Sequence, residues 1–293
     1  MLVHIKEIVK EAKKGGYALG AFNIHNLESA LGVAQAANKA KSPAIIQVSE
    51  GTIKYMGLKP ITHIVSTIAK NIATNVPIAL HLDHGSNFDS IFECIDSGFT
   101  SVHIDASSLP LDENIKLTKR VVEVAHARNV WVQGEIGSII GGHGDIGGKI
   151  KGIPLANLED VIKFAKETGV DTIAAAVGTA HGIYTNEDIK FVLLKEILEK
   201  VKKTFVLHGG SGIADAKIKR AIKEGVGIIN IGSDIKIAFC KTLIENCAKN
   251  KKETDPRNLL RPTIEAVEKV VYDKMKLFGS VGRVKMKTKE MET

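Results

Sequence analysis

The sequence predicts an α/β fold: a (β/α)8 TIM barrel followed by an extra C-terminal helical segment. Two features of the chain indicate this fold. Eight short apolar runs alternate with longer amphipathic stretches, as parallel strands alternate with their helical crossovers. Polar side chains also stand at the end of almost every run. A barrel builds its site from the carboxyl ends of several strands, whereas a doubly wound sheet gathers its ligand groups at one switch point.

Each apolar run is closed by small or polar residues, which is typical of strands buried on both faces. The predicted strands are 17–23, 43–49, 77–83, 101–105, 130–135, 172–177, 204–208 and 227–231. The amphipathic stretches predict helices near 26–40, 60–74, 87–97, 113–128, 156–168, 187–202, 214–223 and 234–249. We therefore expect one domain over residues 1–293, with the barrel at about 17–250, a helical extension at about 255–280 and a basic tail at 283–293.

The composition narrows the class of protein. With 44% hydrophobic and 25% charged residues the chain is ordinary for a globular protein, and no apolar run approaches the roughly 18 residues of a membrane span. The N-terminus lacks the continuous apolar core of a secretory signal, so we expect a cytoplasmic protein without a membrane partner. The net charge of +7 is spread along the chain without interleaved aromatic residues, which argues against nucleic acid.

The three cysteines, Cys94, Cys240 and Cys247, are scattered and lack metal-type spacing. An odd number of thiols in a chain of this size argues against a disulfide framework. We expect all three to be small core residues.

The third predicted strand ends in ionisable groups, at His81, Asp83 and His84. Such groups are costly to bury unless they are paired or bound to a metal. His84, His181 and His208 each come after a predicted strand and each precedes a glycine. Three imidazoles with one open position make a catalytic zinc arrangement, which we favour over three separate structural roles. His81 and His103 precede their strand ends, so we expect them to be packed or hydrogen-bonded.

Three carboxylates at strand ends have more than one possible role. Asp83 could shuttle a proton or orient the neighbouring histidine. Asp105 and Glu135 could hold a second cation, orient a histidine or cap the following helix.

Two loops after the last two strands suit phosphate. Residues 208–212 and 230–234 are rich in glycine and serine, and barrels often bind phosphate there through backbone N–H groups and helix N-termini. The alternative is a pair of tight turns.

A glycine-rich loop over 141–152 follows the fifth strand and predicts a mobile lid, with a plain surface loop as the alternative.

The motifs in their order resemble a known family, the class II, metal-dependent ketose-bisphosphate aldolases. The resemblance covers nearly the whole chain, through AFNIHNLE, HLDHGS, SVHIDAS, GEIG, GTAHGIY, LHGGSGI, NIGSDIKIAF, DPR and FGSVGR. It implies reversible cleavage of fructose or tagatose 1,6-bisphosphate to dihydroxyacetone phosphate and glyceraldehyde 3-phosphate. It also implies Zn2+ on His84, His181 and His208, with Asp83 exchanging the proton of the C4 hydroxyl.

The resemblance implies further site residues. Asp105 and Glu135 match a second, displaced metal position, and a monovalent cation (Na+ or K+) often accompanies the substrate. The residues that match substrate contacts are Asn23, Ser49, Gly182, Gly209, Gly210, Ser211, Asn230, Ile231, Gly232, Ser233, Lys236 and Arg257. Lys236 and Arg257 match groups that meet the distal phosphate. The Asp-Pro-Arg segment crosses a subunit interface in the family, which implies a homodimer or homotetramer.

The chain departs from the family pattern in its lid. The family's loop carries a glutamate that exchanges a proton with the substrate carbon, and Gly144 stands at that position here. Either Asp145 or His143 takes over, or the true substrate needs no such exchange. One branch that acts on fructose places an aspartate where this chain has Gly232, so the preferred C4 epimer stays open. The alternatives are an aldolase for another phosphorylated ketose, such as a 2-deoxy-5-keto-gluconate phosphate, and a non-catalytic phosphosugar-binding protein.

Overall fold

The structure is a computed structural model that describes residues 1–141 and 147–284. The predictions that concern His143, Gly144, Asp145 and the end of the basic tail lie outside these residues.

Eight parallel strands close into a barrel in sequence order, so the predicted fold is confirmed. Each strand pairs with the next along the chain, and β8 pairs with β1. The strands are β1 (Leu19–Asn23), β2 (Ala44–Ser49), β3 (Ile78–Gly85), β4 (Ser101–Ile104), β5 (Trp131–Ile136), β6 (Thr172–Ala175), β7 (Thr204–Leu207) and β8 (Val226–Ile231). All eight lie within two residues of their predicted bounds.

The described residues form eleven helices. They are α1 (Ile5–Gly15), α2 (Leu27–Ala40), α3 (Glu50–Met56), α4 (Leu58–Asn71), α5 (Phe88–Asp96), α6 (Leu111–Ala127), α7 (Leu158–Thr168), α8 (Phe191–Lys200), α9 (Asp215–Glu224), α10 (Ser233–Lys249) and α11 (Pro256–Phe278). The sequence did not predict α1 and α3. The short α3 exists because Ser49 caps it, with its Oγ accepting from the Thr52 N–H at 3.3 Å.

The first helix closes the amino-terminal end of the barrel. Its apolar residues recur at helical spacing, at Ile5, Ile8, Val9 and Ala12, and all four are buried. They pack against the side chains that fill the bottom of the barrel, which are Leu19, Ala21, Ile45, Ala79, Ala174, Val206 and Ile228. The barrel therefore has an apolar floor at its amino-terminal end.

The C-terminal extension packs back onto the barrel. One stripe of α11 is buried against the main core, at Val267, Val271, Met275 and Phe278. Val267 lies so close to α2 that a Cβ at Gly32 would come within 2.7 Å of its Cγ1. Only a glycine at this position permits such an approach of the two helices.

Two further observations concern composition. Among the described residues, no helix is both long and apolar enough to cross a bilayer. All three cysteines are free thiols, but only Cys94 is buried, so the expectation of three core residues was wrong. Cys240 and Cys247 lie on exposed parts of α10, because this helix buries only its first turn against the barrel.

Candidate active site

Side chains alternate between the two faces of a barrel strand, so every second side chain points into the barrel interior. At the carboxyl end of β3 this places His81 and Asp83 inside, and Asp83 is only 2% exposed. Asn23 at the end of β1 donates from Nδ2 to Asp83 Oδ2 at 2.8 Å, and Gln47 on β2 donates from Nε2 to Asn23 Oδ1 at 2.8 Å. Three neighbouring strands thus fix the position of one carboxylate.

The Asp83 carboxylate is strongly acidic in spite of its burial. Burial by itself would raise its pKa, but the nearby His84 cation and the Asn23 hydrogen bond outweigh it and lower the pKa to about 2. Asp83 is therefore ionised at neutral pH and can accept a proton.

His84 is oriented by both its backbone and its ring. The backbone is in the left-handed region with φ of 51°, beside a shift in the β3–β4 register. The ring donates from Nδ1 to Asp105 Oδ2 at 2.6 Å, which turns Nε2 toward His208 Nδ1 at 3.1 Å. Burial would lower the pKa of His84, but Asp83 and Asp105 outweigh it and raise the pKa to about 10. For Asp105, the hydrogen bond from His84 outweighs burial and lowers the pKa.

The other two predicted histidines lie beside His84. Its ring centroid is 4.8 Å from those of both His181 and His208. The His208 Nε2 atom faces two side-chain amides, 2.7 Å from Gln133 Nε2 and 3.3 Å from Asn230 Nδ2. Its Nδ1 atom therefore points into the cluster. His181 lies in the loop after β6, where its N–H donates to the Ile140 carbonyl at 2.8 Å.

The structure brings to the cluster a histidine that we expected only to be packed or hydrogen-bonded. His103 is fully buried and belongs to both groups of side chains whose ligand atoms all lie within 4.8 Å of one another. The first group is Asp83, His84, His103 and His208, and the second is His84, His103, Asp105 and Glu135. Strand alternation could have found His103, because it lies two residues before Asp105 and so faces the same interior.

The donor set of this cluster fits a divalent cation. His84 has the arrangement of a metal-binding histidine, with Nδ1 bonded to a carboxylate and Nε2 turned to the cluster. Glu135 Oε2 is buried, 3.9 Å from His208 Nδ1, and finds no hydrogen-bond partner in the part of the chain that the structure describes. A buried polar atom without a partner is costly, and a cation would satisfy it.

Glu135 itself is almost completely buried. Burial and the charge of Asp105 raise its pKa to about 8. Its Oε1 atom accepts from the Ile139 N–H at 3.3 Å. In the metal-free protein it is therefore readily protonated.

A small pocket adjoins the cluster. Its lining residues are Asn23, Asp83, His181, Gly182, Gly209, Ser211, Asn230, Gly232 and Ser233. Gly209 has φ of 64°, and a Cβ there would come within 2.3 Å of the Ala180 carbonyl oxygen, so the loop requires a glycine. The N-terminus of α10 begins at Ser233 in this lining, which provides backbone N–H groups for an anion.

Several predicted substrate residues do not line this pocket. Ser49 caps α3, and the Ile231 side chain packs in the hydrophobic core, so only its backbone is available. Lys236 is half-buried near Asp83, and burial lowers its pKa in spite of that carboxylate. Arg257 is an exposed residue at the start of α11, where its Nη2 donates to Asp255 Oδ2 at 2.7 Å.

The second half of the glycine-rich loop is fastened to the loop that follows His181. Gly147 donates to the Ile183 carbonyl at 2.8 Å, and Thr185 donates twice to the Gly148 carbonyl. The Asn186 side chain accepts from Ile150 N–H at 3.0 Å and donates to its carbonyl at 2.8 Å. The base of the loop and the His181 loop therefore form one hydrogen-bonded unit.

Comparisons with known proteins place the chain in a family. The family model described as fructose-bisphosphate aldolase class-II matches residues 3–283. The chain belongs to the class-II aldolases. It is a carbon–carbon lyase that reversibly cleaves a ketose bisphosphate. Class-II aldolases depend in general on zinc, and the histidine and aspartate cluster could hold such an ion.

The class-II aldolase relatives match over the full chain. A fructose-bisphosphate aldolase from Geobacillus stearothermophilus is 42% identical over 284 residues, covering 96% of this chain and 98% of that protein. One from Thermus caldophilus is 39% identical, covering 97% and 100%. The crystal structure of the YdjI aldolase from Escherichia coli K12 is similar with a TM-score of 0.83 at 30% identity, covering 97% of this chain and 100% of that chain. The fructose-bisphosphate aldolase of Campylobacter jejuni has a TM-score of 0.81 at 26% identity, with 96% and 97% covered.

Proposed function

We propose that this class-II aldolase cleaves fructose 1,6-bisphosphate with a zinc ion held by His84, His181 and His208. The observation that carries the proposal is the convergence of the three histidine rings, with His84 Nδ1 donating to Asp105 at 2.6 Å, beside an ionised Asp83 and a glycine-lined pocket. The fructose epimer is preferred because the curated relatives are named fructose-bisphosphate aldolases.

The hydrogen bonds of His84 and His208 support a choice of which ring nitrogen would bind the zinc. His84 would bind through Nε2, since its Nδ1 hydrogen is used by Asp105. His208 would bind through Nδ1, and its Nε2 hydrogen would then go to the side-chain oxygen of Gln133 or Asn230 once that amide is rotated. Bound zinc would supply an electrophile that stabilises the negative charge developing on the C2 oxygen as the C3–C4 bond breaks.

Asp83 is the proposed base. As the C3–C4 bond breaks, the C4 hydroxyl gives its proton to the Asp83 carboxylate and becomes the aldehyde of glyceraldehyde 3-phosphate. The bonding electrons stay with C3 of the dihydroxyacetone phosphate half, which then takes up a proton. Asn23 and Asn230 hold the carboxylate, at 2.8 and 3.5 Å from its two oxygens. The group that returns the proton to C3 is predicted to be Asp145 or His143, outside the described residues.

The pocket is proposed to hold the dihydroxyacetone phosphate end. Gly182, Gly209, Gly210 and Ser211 would approach the phosphate from one side, and Asn230 to Ser233 with the α10 N-terminus from the other. A monovalent cation, Na+ or K+, would offset part of that charge. Lys236, half-buried near Asp83, would meet the distal phosphate.

The roles of the remaining predicted residues follow from their contacts. Asp105 accepts from His84 and Ser107, so we assign it to orienting His84 in preference to a second ion. Glu135, with its unpartnered oxygen, is the stronger candidate for a displaced metal position. Arg257 would reach a distal phosphate only in a homodimer or homotetramer, where its exposed position on α11 could serve a neighbouring site.

A coupled assay for dihydroxyacetone phosphate release tests this function. Fructose and tagatose 1,6-bisphosphates are compared as substrates, with and without a chelator, for the wild type, His84→Ala and the exposed control His63→Ala. We expect release that needs both metal and His84, a higher kcat/KM for the fructose epimer, and no effect of His63→Ala. A higher kcat/KM for tagatose would overturn the epimer assignment. Absence of release from either sugar by a folded, zinc-loaded protein would overturn the substrate, and a panel of other phosphorylated ketoses would follow.

A further inference from the structure

His103 is a fourth imidazole within the proposed zinc cluster, and no role is assigned to it by the reaction described above. It lies on β4, fully buried, with its ring centroid 4.8 Å from that of His84 and 5.3 Å from that of His208. Among the described residues its Nε2 atom has no hydrogen-bond partner, and it lies 3.8 Å from Glu135 Oε2, which also has none there. Two buried polar atoms that face each other without a bond call for an explanation.

The second ring nitrogen decides what His103 can do. Its Nδ1 atom accepts the backbone N–H of His84 at 3.3 Å. A neutral imidazole that accepts at Nδ1 carries its hydrogen on Nε2. The ring is neutral, because an imidazolium carries a hydrogen on both nitrogens and could not accept the His84 N–H at Nδ1. Its Nε2 atom is therefore a hydrogen-bond donor and has no lone pair to offer to a metal.

The neighbouring histidines differ in this respect. His84 donates from Nδ1 to Asp105, so Nε2, which faces His208, is the nitrogen that would bind a cation. His208 faces side-chain amides, and an amide can present either its nitrogen or its oxygen after rotation. The partner of His103 is a backbone N–H, which cannot be reversed in this way. His103 lies close enough to the other ligand atoms to be counted among the metal ligands. Its hydrogen bond with the His84 N–H nevertheless excludes it from binding the ion.

We propose that His103 is a positioning residue of the metal site, which binds His84 through Nδ1 and Glu135 through Nε2–H and never binds the ion itself. The first contact supports His84 in its left-handed backbone conformation, which is unfavourable for a residue with a Cβ. The second fixes the direction of the Glu135 carboxylate. His103 Nε2 and Glu135 Oε2 are 3.8 Å apart. A shift of about 1 Å would bring them to a normal hydrogen-bond distance of about 2.9 Å. This inference rests on the metal site of the proposed function.

The two contacts can be separated by substitution. In His103→Asn the side-chain oxygen takes the place of Nδ1, and in His103→Gln the side-chain amide N–H takes the place of Nε2–H. His103→Leu removes both groups at similar bulk. His81→Leu is the matched control, because His81 is another buried histidine of the barrel interior that contacts Ser101 Oγ and belongs to neither ligand group.

Zinc affinity, measured by competition with a chelator, is the first readout. Loss of a group that orients a metal ligand typically weakens affinity about 10- to 100-fold. We expect a loss of this size in His103→Leu, partial recovery in His103→Asn and His103→Gln, and little change in His81→Leu. X-ray absorption should count the same number of imidazole ligands on zinc in the wild type and in His103→Gln. Equal affinity of His103→Leu and the wild type, or one imidazole fewer in His103→Gln, would overturn the proposal.

The tautomer of His103 in the wild-type protein is the second readout and needs no variant to fold. Nitrogen chemical shifts of 15N-histidine-labelled protein report which ring nitrogen carries the hydrogen. We expect the hydrogen on Nε2 both without zinc and with zinc. A hydrogen on Nδ1 in the zinc-loaded protein would mean that Nε2 binds the ion and would refute the inference. Because this measurement does not depend on turnover, a failed cleavage assay with an unchanged Nε2 hydrogen would contradict the proposed substrate and leave the role of His103 standing.

Discussion

Asn23 and Asp83 lie at the carboxyl ends of β1 and β3, and the Asn23 amide donates to the Asp83 carboxylate at 2.8 Å. This bond is one of the forces that hold the pKa of Asp83 down to about 2 in spite of its burial. The proposed base is thus tuned by a residue of a strand that is not its immediate neighbour in the barrel.

Removing the Asn23 amide should make Asp83 easier to protonate. Asn23→Ala takes away one of the interactions that lower the pKa, so the folded pKa rises toward its usual value. The acid limb of kcat/KM should then move to higher pH, with activity lost earlier as pH falls. A pH profile from 2.5 to 6 measures this, with the exposed Asn71→Ala as control. If the acid limbs of Asn23→Ala and the wild type superimpose, Asn23 does not lower the pKa of Asp83.

Asp83→Asn keeps the size of the side chain and removes its ability to accept a proton. Because general base catalysis typically contributes about 10²–10⁴-fold, we expect kcat to fall by a factor in that range. Zinc content should be nearly unchanged, since Asp83 is not one of the three proposed histidine ligands. Metal analysis alongside the kinetics separates the two effects. A variant with near wild-type kcat would remove Asp83 from the role of base.

The Asn186 side chain fastens Ile150 at the base of the glycine-rich loop. Asn186→Ala breaks both bonds, each of which contributes about 1 kcal/mol in general. We expect faster cleavage of this loop by a protease and a severalfold loss of kcat/KM. Asn250→Ala, which alters an exposed asparagine at the end of α10, is the control. If the rate of proteolysis is unaltered in Asn186→Ala, the backbone hydrogen bonds of Gly147 and Gly148 suffice to hold the base of the loop.

Glu187 gives the protein a dependence of stability on pH. Burial raises its pKa from 4.5 to about 8, and its Oε1 atom is buried without a hydrogen-bond partner. Between pH 4.5 and 8 the folded protein holds a proton that the unfolded chain has released. The free energy of unfolding should therefore fall as pH rises through this window, by at most about 1.4 kcal/mol per pH unit.

Glu187→Gln should remove this slope and leave the protein more stable near pH 8 than the wild type. Urea unfolding at several pH values between 5 and 8 measures it, and the exposed Glu159→Gln should keep the wild-type slope. If the slopes of the wild type and Glu187→Gln coincide, Glu187 is ionised in the folded protein throughout the window.

The sequence was sufficient for the barrel, because apolar runs with polar ends are a direct consequence of burying parallel strands on both faces. It was less informative where a residue's role depends on a distant neighbour. The helix α1 was not predicted, and the spacing of Ile5, Ile8 and Val9 says nothing of a helix that closes the barrel. Cys240 and Cys247 look like core residues in a helical stretch and are exposed, because α10 leaves most of its length outside the core.

The same limit applies to the site. His84, His181 and His208 could be selected because each follows a strand end. His103 could not be given a role, because the direction of its two ring nitrogens is fixed by the His84 backbone and by Glu135, which are remote in sequence. Ser49 was expected to contact substrate on motif alone, while the structure uses its hydroxyl to start α3.

The apolar floor that α1 builds under the barrel has a kinetic consequence. With that end sealed by packed side chains, the described residues leave the rim as the way in and out of the site. Two triose phosphates formed there would depart through one mouth, and the proposed phosphate pocket would retain the dihydroxyacetone phosphate end. Product release should therefore be sequential, with glyceraldehyde 3-phosphate first, and dihydroxyacetone phosphate should inhibit competitively against the bisphosphate.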